Sequence, residues 1–467
     1  MLTKYHPLKA VAMLLALMLL LPLLLRACNP AQQSVDVIDP FAAPPPVVAV
    51  QIDGHRAFVP PGPPRLPDVP QDLVEVIRYG VKLVSSSHLS QEKCVPKSDS
   101  QEGWKRCLGD YLLAASNEQG KMQLIEVYGG KPSQEGFTVR CERDGACNGG
   151  VNPPFNVFSP PGWTVVAIRT AVYDTNGPDG ISPAVYIPYS TRLNDPELRT
   201  AGVEYLRDAV LAAFYELRAK DVRSQFIANR YVTDFGTPDH VIALILTEQM
   251  YSDKWFVEGT DADRLEMLDR ALVTLSLNRW RSYQYTKSFA DARGIGQIVG
   301  GPYKAIREQY PRADLPENSV DGRTDHHTSI KAMICHADAE LWTFAGKDED
   351  AHRTYIVNNV WERQLVLAAG YNANVATVHR VIHECKERWR ENDCAASCAQ
   401  RSPDQASTGK ACVELPEETR LYLLKYEWIY KVLFDEAFRA QIEKQVWPKL
   451  ADEARARQSE YEKRHPQ

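Results

Sequence analysis

The sequence predicts an α+β protein, in which a mainly α-helical second half follows a small mixed α/β domain and an N-terminal membrane anchor. Three observations predict this class. The run Ala10–Leu25 is apolar and uncharged, β-branched and aromatic residues concentrate in strand-like segments between 110 and 172, and from about Leu198 apolar residues recur at helical spacing. The chain has 467 residues, which leaves room for two or three domains.

The predicted domain boundaries follow changes in composition. We expect an anchor over residues 1–28, a proline-rich tether over 29–70, a small mixed α/β domain over 71–195, a helical domain over 196–392, and a cysteine-containing loop with a C-terminal helical segment over 393–467. Proline-rich chain is extended and semi-rigid, so the tether would hold the later domains away from a membrane.

The first 28 residues have the layout of an export signal. Lys4 and Lys9 accompany an apolar run that is shorter than the ~20 residues needed to cross a bilayer comfortably. The run ends in Leu25-Arg26-Ala27-Cys28, which resembles a bacterial lipobox apart from Arg26. Two alternatives stay open, lipid attachment at Cys28 or an uncleaved anchor with Cys28 just outside the membrane. Both predict a periplasmic protein held at the membrane by its N-terminus.

Cysteine usage also predicts an oxidising compartment. Close pairs in polar sequence favour bridges Cys94–Cys107 and Cys141–Cys147, although spacing alone does not fix the connectivity. Two further bridges are expected among the last four cysteines, Cys385, Cys394, Cys398 and Cys412. Cys335 lies within a helical pattern and is predicted to be the remaining thiol, buried as a small hydrophobe.

Charge and motifs narrow the partners. The formal net charge is -6 and no basic stripe is present, which argues against nucleic acid as a partner. The small domain over 71–195 carries strand-like segments, among them a hairpin with a turn at Asn117–Gly120, but no chemical motif. We expect it to be a recognition or docking module, for instance for another envelope protein.

Glu248 is the candidate catalytic residue of the helical half. Its helix is predicted to begin at Thr237-Pro238-Asp239, with a cap, a proline at the first helical position and an acid that complements the helix dipole. The helix is apolar nearly all round and should be buried. Burial favours the protonated form of a carboxyl group, as a glycosidase acid requires. The alternative is that Glu248 is solvated at the helix end or paired with an arginine.

Two later segments carry further candidate site residues. The turn Ala292–Ile298 contains Gly294 and Gly296, which allow close approach of a substrate, and Gln297, which can both donate to and accept from sugar groups. The segment Ala368–Asn372 is predicted to end a helix at Gly370 and to present Tyr371 and Asn372 at its terminus.

In this order, the three segments resemble the soluble lytic transglycosylase and goose-type lysozyme-like superfamily. The elements are Ile245-Leu246-Thr247-Glu248, Ala292–Ile298 and Ala368–Asn372, within roughly residues 200–390. The chain departs from the pattern at Gln249, where the family usually has serine. The interval from Glu248 to Gln297 is also long, and a helix from Asp261 to about Tyr283 accounts for the excess as an insertion.

The resemblance implies a lysozyme-like catalytic domain that cleaves peptidoglycan without a cofactor or metal. Glu248 would protonate the oxygen between N-acetylmuramic acid and N-acetylglucosamine, and then accept the proton of the muramic acid C6 hydroxyl as that oxygen attacks C1. The products carry 1,6-anhydro ends, and one carboxylate is enough because the nucleophile is intramolecular. Gln297, Tyr371, Asn372 and the two glycines, Gly294 and Gly296, would bind the sugar.

Other interpretations remain open. Asp291 could serve as the base of a lysozyme-like hydrolase, and Glu258 or Glu266 could replace Glu248 as the catalyst. The fold could also serve as a non-catalytic wall-binding scaffold of an envelope assembly. A metal site is a further alternative, which would draw on Asp325, His326, His327, His336, His379 and His383.

Overall fold

The computed structural model describes residues 71–87, 111–128, 131–132, 136–141, 155–173, 181–250, 253–345, 355, 358–385, 388–391, 414–442 and 444. The expected anchor with Cys28 and the tether lie outside the described residues. So do the cysteine side chains of the two expected bridges, Cys94–Cys107 and Cys141–Cys147. No helix in the described ranges is long and apolar enough to cross a membrane.

The first part of the fold is a helix packed on an antiparallel sheet. Helix α1 spans Gln71–Ser86. The strands are β1 (Tyr111–Asn117), β2 (Met122–Tyr128), β3 (Lys131–Pro132), β4 (Thr138–Cys141), β5 (Phe155–Ser159), β6 (Trp163–Tyr173) and β7 (Ile181–Tyr186). A five-stranded sheet has the order β3-β2-β1-β6-β7, and β4 pairs separately with β5. The β1–β2 hairpin confirms the turn predicted at Asn117–Gly120.

The period-two pattern of β1 explains how the sheet is covered on both faces. Leu112 and Ala114 point to one face, where they pack with Ile77 of α1. Leu113 and Ala115 point to the other face and join the core beneath β4 and β5. Both faces of this strand are therefore buried, which is why its sequence reads as a continuous apolar run.

The second part of the fold is helical, as predicted. Its helices are α2 (Pro196–Ala219), α3 (Pro238–Gln249), α4 (Asp253–Glu258), α5 (Asp261–Asn278), α6 (Gly300–Gln309), α7 (Ser319–Thr324), α8 (His326–Ala345), α9 (Val360–Asn372), α10 (Val375–Cys385) and α11 (Glu417–Phe434). Short 3-10 turns connect several of them. The α+β class is therefore confirmed.

Helix α3 lies at the centre of this helical part. Thr237 caps it by accepting a hydrogen bond from the His240 backbone N–H at 3.1 Å, and Pro238 occupies the first helical position. Every residue from 240 to 247 is buried. Since α3 is packed against neighbouring helices on all sides, polar residues on any of its faces would be buried, which explains why the helix is apolar all round.

Helix α11 contributes to the same core. Tyr426 and Ile429 are fully buried in the cluster that also contains the apolar residues of α3. The described residues after the boundary predicted at 392 therefore pack against the helical domain. Burial of such side chains stabilises the fold by roughly 1.5–3 kcal/mol each.

Helix α5, which the sequence predicts as an insertion, joins the two parts of the fold. Val273 and Leu277 pack into the core between α1 and the sheet. The Asn278 side chain accepts a hydrogen bond from the Ile187 N–H at 2.8 Å and donates to the Ile187 carbonyl at 2.9 Å. A polar side chain thus completes the backbone hydrogen bonding where the chain leaves the sheet.

Two cysteines can be compared with the predictions. Cys335 is a buried free thiol in α8, as predicted. Cys385, at the end of α10, is disulfide-bonded, which agrees with its expected role in one of the later bridges. Its partner lies outside the described residues.

Candidate functional site

Glu248 lies at the penultimate position of α3 and is half-buried. The Tyr422 hydroxyl of α11 donates a hydrogen bond of 2.6 Å to Glu248 Oε1. Tyr422 is only 2% exposed, so its packing fixes the donor. A buried hydroxyl aimed at a carboxyl oxygen both orients the group and stabilises its ionised form.

Tyr422 belongs to the candidate site and was not predicted from the sequence. It lies far along the chain from Glu248, in a segment expected to follow the catalytic domain. The available signal was weak, since Tyr422 occupies an apolar face of α11 and reads as an ordinary core aromatic.

The turn Ala292–Ile298, called the glycine turn below, is bound to Gln249, the residue that follows the candidate catalyst Glu248. Gln249 Nε2 donates to the Gly294 carbonyl at 3.1 Å and to the Ile295 carbonyl at 2.8 Å. A serine side chain is too short to span the same two acceptors. Gln249 therefore supplies a contact that fixes the turn beside the end of α3.

Gly294 has a specific steric reason to be glycine. Its φ is +67°, and a Cβ atom built there would lie 2.0 Å from the Arg323 carbonyl oxygen. Any side chain would have to displace backbone. Gln297 also has a positive φ, of 48°, and its Nε2 donates to the Gly294 carbonyl at 2.8 Å. One amide hydrogen of Gln297 is therefore used inside the turn rather than directed to a ligand.

Tyr371 connects α9 to the same turn. Its hydroxyl donates a short hydrogen bond to the Gly296 carbonyl. Burial raises the pKa of Tyr371 well above its usual value, and the nearby negative charges of Glu248 and Glu340 raise it further. Tyr371 is therefore a permanent donor, and it lies within the electrostatic field of Glu248.

Asn372 is placed differently from the other candidates. Its Oδ1 accepts a hydrogen bond of 2.8 Å from the hydroxyl of Thr419, a buried residue of α11. This contact ties α9 to α11. The helix end predicted at Gly370 is wrong, because α9 continues through Tyr371 to Asn372. Gly370 is needed for a close contact with Glu340 rather than for ending the helix.

Asp291 forms ion pairs with three basic side chains. Its Oδ1 is 2.6 Å from Arg293 and 3.2 Å from Lys287, and its Oδ2 is 3.1 Å from Arg323. Burial alone would raise the pKa of Asp291, but the hydrogen bonds and charges of the two arginines more than offset that effect and bring it to about 2. A carboxylate so strongly stabilised is a weak base, which argues against Asp291 as a hydrolase base.

The alternative catalytic acids, Glu258 and Glu266, are more exposed than Glu248. Glu258 and Glu266 are both exposed, at the end of α4 and on α5. Glu266 Oε1 lies 3.8 Å from Arg270, as in an ordinary surface ion pair. Exposure leaves both carboxyl groups in a high-dielectric setting, unlike Glu248.

The histidines of the metal alternative are dispersed. His326 is buried between the Tyr205 hydroxyl at 2.8 Å and the Ser282 carbonyl at 2.6 Å, and burial lowers its pKa to about 4. His327 contacts Glu216. Within the described ranges, no three side chains of histidine, cysteine, aspartate or glutamate lie close enough together to hold a metal ion.

The three candidate segments therefore meet at the C-terminal end of α3. Gln249 binds the glycine turn, Tyr371 binds the same turn, and Tyr422 binds Glu248. Comparison with known proteins adds no relative, because no family model, no curated protein and no solved structure matches the chain.

Proposed function

We propose that this protein is a periplasmic, membrane-anchored lytic transglycosylase that cleaves the β-1,4 bond between N-acetylmuramic acid and N-acetylglucosamine in peptidoglycan. One observation carries the proposal. Segments that are distant in sequence meet at the end of α3 beside one half-buried carboxyl group, Glu248. Gln249 and Tyr371 bind the glycine turn there, and Tyr422 of α11 binds Glu248 itself. The resemblance in motif order supports the same conclusion independently of that geometry.

In the first step, Glu248 donates its proton to the glycosidic oxygen as the bond from C1 to that oxygen breaks. The electron pair of the bond leaves with the oxygen, and positive charge develops at C1. The Tyr422 hydroxyl donates to the carboxylate that forms, so the negative charge on Glu248 is stabilised at the moment it appears.

In the second step, the C6 hydroxyl of the muramic acid attacks C1 and transfers its proton to Glu248. A 1,6-anhydro ring forms, and the enzyme returns to its starting protonation state. No water is consumed, so the reaction needs no second carboxylate. The Gly294–Gln297 turn, fixed by Gln249 and Tyr371, is proposed to form the wall against which the sugar lies.

The experiment is digestion of purified peptidoglycan in heavy-oxygen water, with the products identified by mass spectrometry. A transglycosylase gives anhydro-muropeptides that contain no heavy oxygen from the solvent. Reducing ends that carry the label would instead identify a hydrolase. Binding to the wall without any product would contradict catalysis and favour a scaffold.

A further inference from the structure

A small cavity lies beside Tyr371, between α3, α8 and α9. It has room for about one water molecule. Its lining includes His240, Leu244, Met333, Ala337, Glu340 and Tyr371. Glu340 is the acidic member of this lining, and it is 8% exposed. The mechanism above does not use it.

The contacts of Glu340 show that the fold makes space for it. Its Oε2 would lie 2.6 Å from a Cβ atom at position 370, so Gly370 is what allows the carboxyl group to occupy this position. Its Oε1 is 4.0 Å from His336 Nδ1, which is too far for a hydrogen bond. Because Gly370 directly precedes Tyr371, the packing of Glu340 bears on the placement of the tyrosine.

His240, which also lines the cavity, does not neutralise Glu340. His240 Nδ1 lies 2.7 Å from the Tyr426 hydroxyl, and its buried Nε2 has no hydrogen-bond partner among the described residues. Burial, together with a smaller effect of the nearby Arg363, lowers the pKa of His240 to about 3. The imidazole therefore stays uncharged in the physiological range and supplies no counter-ion.

Glu340 consequently changes charge near neutral pH. Burial raises its pKa to about 7, against a smaller opposing effect of His336. Other titratable groups on the helices around it include Asp239, His240 and Glu248 of α3, Lys331 and Asp338 of α8, Glu362, Arg363 and Tyr371 of α9, and His379 and His383 of α10. Of these, Tyr371 responds to the charge of both Glu340 and Glu248.

We propose that Glu340 is a positioning residue for the proposed reaction: as a neutral acid it leaves the Tyr371 hydroxyl bound to Gly296, and as a carboxylate it draws that hydroxyl away. A carboxylate is a stronger acceptor than a backbone carbonyl, and Tyr371 has one proton to donate. Loss of the Tyr371–Gly296 contact releases the glycine turn from α9 and leaves Gln249 as the contact that holds the turn beside the end of α3. The inference rests on the proposed function for its catalytic readout.

The first test compares the pH dependence of glycan cleavage in the parent and in Glu340→Gln. With a pKa of about 7, the neutral fraction of Glu340 falls about tenfold between pH 6 and pH 8. The cleavage rate of the parent should fall by that factor in addition to any fall caused by Glu248. The cleavage rate of Glu340→Gln should show only the fall caused by Glu248. The same pH profile in both proteins would overturn the proposal.

Two further variants sharpen this test. Asp338 lies on the same helix and is also buried, but it binds Ser224, Gln225 and Tyr310 away from the cavity. Asp338→Asn should therefore keep the pH profile of the parent. Tyr371→Phe should be less active than the parent at pH 6, should approach the activity of the parent at pH 8, and should lack the Glu340-dependent fall, since the hydroxyl for which Glu340 competes is gone.

A second readout does not require activity. The proteins compared are the inactive Glu248→Gln variant and the double variant Glu248→Gln/Glu340→Gln. As the pH increases from 5 to 7, the melting temperature of the double variant should rise relative to that of the single variant, because buried Glu340 ionises at a cost in stability and glutamine cannot ionise. A constant difference across this range would overturn the inference even if cleavage occurs. A rising difference in a protein that cuts no glycan would leave Glu340 as a titrating buried acid and would contradict the proposed function alone.

Discussion

Replacing Tyr422 with phenylalanine tests how Glu248 is held. The change removes one hydroxyl from a residue that is 2% exposed, and with it the 2.6 Å hydrogen bond to Glu248 Oε1. Hydrogen bonds to charged groups contribute roughly 1.5–3 kcal/mol. Because Glu248 is half-buried rather than fully enclosed, we take the lower end of this range.

A loss of about 1.5 kcal/mol of stabilisation of the carboxylate in the transition state corresponds to roughly a tenfold decrease in kcat. KM should change little, because the hydrogen bond strengthens only as Glu248 becomes charged. The assay is the initial rate of soluble muropeptide release from purified peptidoglycan, measured over a range of substrate concentrations.

The matched control is Tyr426→Phe. Tyr426 lies one turn further along α11 and is fully buried, but its hydroxyl contacts His240 Nδ1 at 2.7 Å instead of Glu248. We expect a loss of about 1 kcal/mol in the free energy of unfolding and a change in kcat of less than about threefold. An unchanged kcat in Tyr422→Phe, or an equal loss in both variants, would refute the reasoning.

Three other predictions concern the glycine turn and the buried thiol. Asp291→Asn should lower the free energy of unfolding by about 1 kcal/mol after allowance for solvent screening, since Arg293 and Arg323 lose their partner. Because the pKa of Asp291 in the folded protein is lowered to about 2, the difference between the variant and the parent should persist above pH 4 and shrink as the pH falls towards 2. Denaturant unfolding at a series of acidic pH values measures this difference, and a difference that stays constant would contradict the prediction. Gly294→Ala should cost roughly 2–4 kcal/mol in chemical denaturation, because its Cβ would collide with backbone, and a near-neutral effect would contradict the assigned turn geometry. Burial raises the pKa of the Cys335 thiol, so it should react with a thiol reagent at pH 8 only after unfolding, with Cys335→Ala as the control, and rapid labelling of the folded protein would contradict its burial.

Much of the local structure could be predicted from the sequence, because local rules decide it. The start of α3 follows from the cap at Thr237 and the proline after it, and both are observed in those roles. The β1–β2 hairpin follows from the Asn117–Gly120 turn between two apolar runs. The free, buried state of Cys335 follows from its helical setting.

The contacts that complete the site could not be predicted in the same way, because they depend on tertiary packing between distant segments. Tyr422 has no local signal that distinguishes it from any other core tyrosine of α11. Gly370 looked like a helix end because glycine usually marks one, yet here it admits the carboxyl group of Glu340. Gln249 has no local signal for its role either, because its contact with the glycine turn depends on how the turn packs beside α3.

The most direct test of the central claim is the rate of peptidoglycan cleavage by Glu248→Gln beside the parent and Glu258→Gln. Glutamine keeps the shape of the side chain but cannot transfer the proton, so we expect a loss of roughly 10²–10⁴-fold in Glu248→Gln, with an unchanged melting profile and retained binding to the wall. Glu258→Gln, at an exposed position, should match the parent. Cleavage by Glu248→Gln within about tenfold of the parent would contradict the account and assign the chemistry to another residue.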